Sequence, residues 1–132
     1  MNLLENFLNN SKTAFHACEN AAEYLRANGF KELKESEKFK IEKGGKYYFN
    51  NRNKSFVAFK IGSENVGKDG IRLLASHIDS PRLDIKQNPL YEDSSMAFLK
   101  THYYGGIKKY QWTAIPLALH GTVVLKNGKS VD

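Results

Sequence analysis

Two amphipathic helical segments, a continuous apolar run after them, and a helix-poor tract rich in strand residues beyond Pro81 predict an α/β fold. The sheet layer comes first, and a β-rich element begins near residues 81–88. A chain of 132 residues is long enough for one domain with a core but too short for two large ones. Its 41% apolar and 26% charged residues match an ordinary globular composition. Seven Tyr, eight Phe and one Trp exclude a disordered chain.

Asn2-Leu-Leu-Glu5 has the spacing of a capping box, and Leu3, Leu4, Phe7 and Leu8 then form an apolar stripe, so a short helix starts there. Ser11 or Thr13 can cap a second helix. In it Phe15, Cys18, Ala22 and Leu25 recur at intervals of three and four, and Gly29 supplies a left-handed C-terminal stop. His16, Glu19 and Glu23 share the opposite face, which makes His16 a solvated histidine. Gly44-Gly45 breaks the pattern. Lys46–Asn50 and Ser55–Ile61, joined by Asn51-Arg-Asn53, read as a β-hairpin. Gly62 to Gly70 reads as a loop.

Ile71-Arg-Leu-Leu-Ala-Ser76 is expected to be a strand buried on both faces. Leu83–Lys86, Phe98–Tyr104 and Leu117–Lys126 are expected strands, separated by Pro89, Gly105-Gly106 and Pro116. Asn127-Gly128 is a strong hairpin signal, yet only four residues follow it. That suggests the N-terminal part of a longer protein or a truncated form.

The formal charge is +6. Residues 1–76 carry 13 basic and 9 acidic side chains and residues 77–132 carry 7 and 5, so the surplus is spread over the chain. Glu and Lys alternate through the Lys31–Lys46 region, as on a solvated surface, which argues against a phosphate-tracking stripe. Nucleic-acid binding is a minor alternative that predicts steeply salt-dependent retention. No apolar run reaches the ~18 residues of a membrane span, and Met1–Asn10 lacks the pattern of a signal peptide. Cys18 is the sole cysteine, so no internal disulfide forms, and a reducing, cytoplasmic setting fits.

The chemistry concentrates in Ser76-His77-Ile-Asp79-Ser-Pro81. At the end of a strand, His77 and Asp79 would leave the same face. There the imidazole can bind a metal while the carboxylate holds its other nitrogen. The plainer alternative is that both residues end the strand and enter a turn. His77 alone does not complete a catalytic zinc site, which takes three protein ligands and an open position. His102 and His120 read as strand residues with nothing aiming them at His77. Tyr103-Tyr-Gly-Gly106 lacks phosphate-loop spacing, and its glycines fit a turn or a close backbone approach. Tyr103, Tyr104, Tyr110 and Trp112 could stack bases, but packing or an interface suits them better.

Together, Ala75-Ser-His-Ile-Asp-Ser-Pro-Arg-Leu-Asp84, Tyr103-Tyr-Gly-Gly106, Trp112 and Pro116-Leu-Ala-Leu-His-Gly121 resemble the aspartyl aminopeptidase and vacuolar aminopeptidase I family. Thr13-Ala-Phe-His16 and Gly44-Gly-Lys-Tyr-Tyr48 extend the resemblance over nearly the whole chain. It implies the N-terminal part of a zinc-exopeptidase (phosphorylase/hydrolase-like) sheet domain over residues 1–84. Residues 85–132 would begin an inserted β-rich dimerisation domain. It also implies two zinc ions per full-length subunit, with His77 the first metal ligand and Asp79 the catalytic carboxylate that orients it. The remaining ligands and the catalytic Glu would lie downstream.

The implied reaction is removal of N-terminal residues from peptides by metal-activated water. The implied assemblies are dimers built into dodecamers, with no nucleic acid and no membrane, in the cytoplasm. The 132-residue chain alone would then be inactive. The segment around Ser80-Pro-Arg-Leu-Asp84 differs in detail from aspartyl-specific members, so the preferred N-terminal residue stays open. The alternative is a non-catalytic interaction or assembly module on the same scaffold.

Overall fold

The computed structural model describes residues 2–132. They form two compact units: one holds the residues up to Ile78 together with His120–Asp132, and the other is Asp79–Leu119.

The first unit begins with α1 (Leu3–Asn10) and α2 (Ala14–Ala27), which pack on each other. Asn2 caps α1 through the expected reciprocal box: its side chain accepts from the Glu5 amide, and the Glu5 carboxylate accepts from the Asn2 amide. Thr13, not Ser11, caps α2. The helix closes in a Schellman motif, with Gly29 N–H bonded to the Arg26 carbonyl and Phe30 N–H to that of Leu25. Gly29 sits at φ 80°, a conformation only glycine adopts without strain.

β1 (Lys31–Glu32), β2 (Lys46–Asn51) and β3 (Ser55–Lys60) make a three-stranded sheet, β1 parallel and β3 antiparallel to β2. The three-residue turn between Asn51 and Ser55 puts Arg52 and Asn53 at φ 55° and 53°, the backbone a tight hairpin demands. The core lies where α2 covers β2: Ala17, Cys18, Ala22, Tyr47 and Tyr48 are its buried residues. The Tyr48 hydroxyl contacts both Arg26 on α2 and Glu32 on β1, each at 3.3 Å. That pairing satisfies the one polar atom a fully buried tyrosine brings inside.

His16 is not the solvated histidine expected. Its side chain is 18% exposed, its Nδ1 lies 2.9 Å from Thr13 Oγ1, and its Nε2 lies 3.7 Å from the Asp132 carboxylate. The N-cap hydroxyl and the end of the chain enclose it. The Gly62–Gly70 stretch contains one helical turn, α3 (Val66–Asp69).

The expected central strand does not form. Residues 71–76 carry no strand pairing, and Ile71, Leu73 and Leu74 are 85%, 84% and 99% exposed. The apolar run asks for cover on both faces, but a strand exists only through its neighbours' hydrogen bonds. No described residue supplies them.

In the second unit, β4 (Arg82–Asp93) and β5 (Met96–Tyr104) form an antiparallel ribbon. Pro89 does not separate strands as expected. β4 runs through it, and a register shift between Ile85 and Leu90 absorbs the residue that cannot donate to the ladder. Asn88 within that bulge has φ 50°. A helical turn, α4 (Lys109–Trp112), interrupts a tract expected to have no helix.

The strand expected over Leu117–Lys126 shrinks to β6 (Val123–Val124), within the first unit. It pairs with β7 (Ser130–Val131) around Asn127-Gly128, the hairpin that dipeptide foretells.

Candidate functional site

His77 belongs to the first unit, next to its boundary residue Ile78, and Asp79 opens the second. His77 is exposed and follows residues 71–76, which lie in no strand, and Asp79 is half-buried. His102 and His120 are exposed as well, and His102 Nδ1 lies 3.3 Å from the Tyr103 carbonyl oxygen.

Asp79 accepts a hydrogen bond from the Tyr104 hydroxyl at the end of β5. That bond, and then the carboxylate's charge, hold the phenol above its ordinary range, with the Arg82 guanidinium pulling the other way. Arg82 stands directly opposite Tyr104 in the ladder, and its guanidinium carbon lies 4.0 Å from the ring centroid. Asp84 engages the same guanidinium at both oxygens: Nε to Oδ1 is 2.6 Å and Nη2 to Oδ2 is 3.3 Å.

Gly105, at φ 75°, follows Tyr104, and a Cβ there would stand 3.3 Å from the Pro81 Cα. The first glycine of Tyr104-Gly-Gly106 thus serves the turn and close approach expected of it, and brings the two ends of the ribbon together. Tyr103 and Tyr110 are 53% and 74% exposed, and Lys109 Nζ lies 4.3 Å from the Tyr103 ring centroid. The sequence marks Tyr104 only as one of several aromatic residues. Its contact with Asp79 depends on strand register, which Asn88 and the bulge determine and which a pattern of residue types does not show.

Among the described residues no three His, Cys, Asp or Glu side chains gather closely enough to hold a metal ion. The imidazole of His77 is a donor type that zinc takes, but one nitrogen is a share of a site and not a site. A metal centre needs further ligands from outside this group.

The sequence profile described as Aminopeptidase I zinc metalloprotease (M18) matches residues 7–132. A curated relative from Clostridium acetobutylicum, named Probable M18 family aminopeptidase 1, is 45% identical over 130 residues, which is 97% of this chain and 28% of that protein. The crystal structure of aminopeptidase I from Borrelia burgdorferi B31 superposes with a TM-score of 0.82 at 37% identity, over 99% of this chain and 35% of that one. A chain in the cryo-EM structure of the Ape4 and Nbr1 complex gives 0.84 at 31% identity, over 96% and 25%. This chain therefore spans between a quarter and a third of its curated relatives' length. With the family profile running from Phe7 to Asp132, the chain belongs to the M18 family of aminopeptidase I zinc metalloproteases.

Proposed function

We propose that this chain is the N-terminal portion of a zinc metallo-aminopeptidase that removes N-terminal residues from peptides. The observation that carries the reading is a family match spanning residues 7–132, which include His77-Ile-Asp79. In this reading His77 is one ligand of a centre with two zinc ions, and Asp79 is the carboxylate that sets the imidazole's orientation. When bound, zinc supplies Lewis-acid chemistry and an activated water. The remaining donors come from chain beyond these residues, so the 132-residue polypeptide alone has no peptidase activity. Residues 1–84 belong to the zinc-exopeptidase sheet domain, and residues 85–132 begin the inserted β-rich domain.

Self-association, as a dimer and then a dodecamer, is part of the same proposal. Its support is the β4–β5 ribbon. The register puts Leu83, Ile85, Leu90, Leu99 and Tyr103 on one face, and Leu90 and Leu99 are 70% and 46% exposed. A two-stranded ribbon needs a partner for such a face. A cytoplasmic location is proposed from the single cysteine.

His77→Ala in the full-length protein tests the reading. Loss of one zinc equivalent and nearly all turnover is expected, by elemental analysis and by release of N-terminal residues from peptides. Retention of both would end the ligand assignment and favour a non-catalytic assembly module.

A further inference from the structure

We infer that Tyr104 is a positioning residue for Asp79: its hydroxyl, fixed by the Arg82–Asp84 pair beneath its ring, sets the direction of that carboxylate. The inference rests on the reading of His77 and Asp79 proposed above, and adds what holds the acid in place.

The ribbon supplies the geometry. Arg82 and Tyr104 are cross-strand partners, so β4 pairing with β5 brings the guanidinium onto the ring without further structure. Gly105 then turns the chain beside Pro81, and this close approach ties the end of β5 to the segment that carries Asp79. Any other residue there would be strained by the φ of 75° and would press a Cβ to 3.3 Å from the Pro81 Cα. Tyr104 is therefore held on two sides, by a cation on its ring and by the turn that follows it.

The choice of donor has a chemical consequence. Arg82 is close enough in sequence to pair with Asp79, but its Nε and Nη2 engage Asp84 and its Nη1 donates to the Ser80 carbonyl at 3.4 Å. Either donor would make a charge-assisted bond to an ionised carboxylate, but a guanidinium adds a full opposite charge and a bidentate fork. A guanidinium on Asp79 would hold the acid tightly and draw off its electron density. A phenol is an uncharged donor: it fixes one oxygen and leaves the carboxylate's charge unneutralised, still able to accept from an imidazole. Asp84 is thus the residue that keeps Arg82 occupied, and Tyr104 is the one that touches Asp79. Outer partners of this kind alter metal affinity or activity by about 10–100-fold in metalloenzymes.

The experiment uses the full-length, zinc-loaded protein and compares Asp79→Asn, Tyr104→Phe and the double variant, with His77→Ala as control. Zinc affinity is read by chelator competition, kcat and KM with a peptide substrate, and melting temperature by calorimetry. Tyr104→Phe should weaken zinc binding about 10-fold and lower kcat with KM nearly unchanged. It should add nothing to Asp79→Asn, because Tyr104 acts only through the carboxylate that this variant lacks. Unchanged zinc affinity, or a double variant whose loss is the product of the two single losses, would overturn the inference. If Tyr104→Phe fails to fold, Arg82→Met takes its place in the same cycle with Asp79→Asn, and the same two results decide. Zinc retained by His77→Ala would bring down the underlying reading. Zinc lost there, with Tyr104→Phe and wild type alike, would bring down this inference alone.

Discussion

Tyr47-Tyr-Phe49 and Leu73-Leu-Ala75 are both triplets of hydrophobic side chains in the first unit, and they meet opposite fates. Tyr48 is completely buried, while Leu74 is 99% exposed. The first triplet has β1 and β3 on either side and α2 above it, all built from nearby chain. The second has no strand paired with it among the described residues. A local hairpin recruits its own partner through a three-residue turn, whereas a central strand of a layered sheet depends on partners that arrive from far along a chain. A hydrophobic triplet is therefore a core in one place and uncovered surface in the other.

The largest expected effect breaks or upholds that contrast. Tyr48→Ala should cost about 3–5 kcal/mol, the range for truncating a buried aromatic residue, and should abolish the cooperative unfolding of the first unit. Leu74→Ala in the same chain should fall within about 0.5 kcal/mol of wild type, as exposed substitutions do. Urea midpoints of the two variants check both. Equal losses would show that residues 71–76 are covered in solution. Repeating Leu74→Ala in the full-length protein sharpens the point: a cost there of about 2 kcal/mol or more would mean that cover has been supplied.

Gly45→Ala is expected to have an intermediate effect and tests the buried triplet from its edge. A Cβ at Gly45 would stand 2.5 Å from Tyr47 Cε2. A flexible ring tip could yield, but this one cannot move freely. Tyr47 is 3% exposed, its hydroxyl accepts the Glu42 amide at 3.0 Å, and its ring packs against Phe59 at 5.7 Å between centroids. The backbone at Gly45 is not left-handed, so the clash is isolated from backbone strain. Overpacking of this kind costs about 1–3 kcal/mol. A midpoint equal to wild type would mean that the Tyr47 ring is free to swing aside.

What is legible in the sequence follows the same division. The caps at Asn2, Thr13 and Gly29, the hairpin around Arg52-Asn53 and the Asn127-Gly128 turn are local, each decided by residues within a few positions of one another. Their signals survive without knowledge of the rest of the fold. The apolar character of Ile71–Ser76 is equally plain, but composition says that a segment wants burial and not what will bury it. The strand expected over Leu117–Lys126 fails for the same reason, keeping only Val123–Val124. His16 is enclosed rather than solvated because its partner, Asp132, lies at the other end of the chain. In the candidate site, His77 and Asp79 stand out through their spacing. Tyr104 does not, since its approach to Asp79 passes through a bulge at Pro89 and a turn at Gly105.

The smallest expected effect concerns Cys18, which is as fully buried as Tyr48 but brings a titratable group with it. Burial pushes its thiol above the ordinary value, because the thiolate loses its hydration on entering the core. The folded state therefore holds this proton to higher pH than the unfolded state does. The stability it contributes is fully present below the unfolded value of about 8.5 and is lost as pH rises through that value towards the folded one. Tyrosine and lysine groups titrate in the same window, so the comparison is with Cys18→Ala, a small residue that the site accommodates. Between pH 7 and pH 10 the urea midpoint of wild type should fall further than that of Cys18→Ala. The same burial predicts slow labelling by a thiol reagent in the native chain and rapid labelling in urea. Parallel pH profiles together with fast native labelling would mean that α2 separates readily from β2, and the buried triplet would then be less firmly covered than Tyr48 implies.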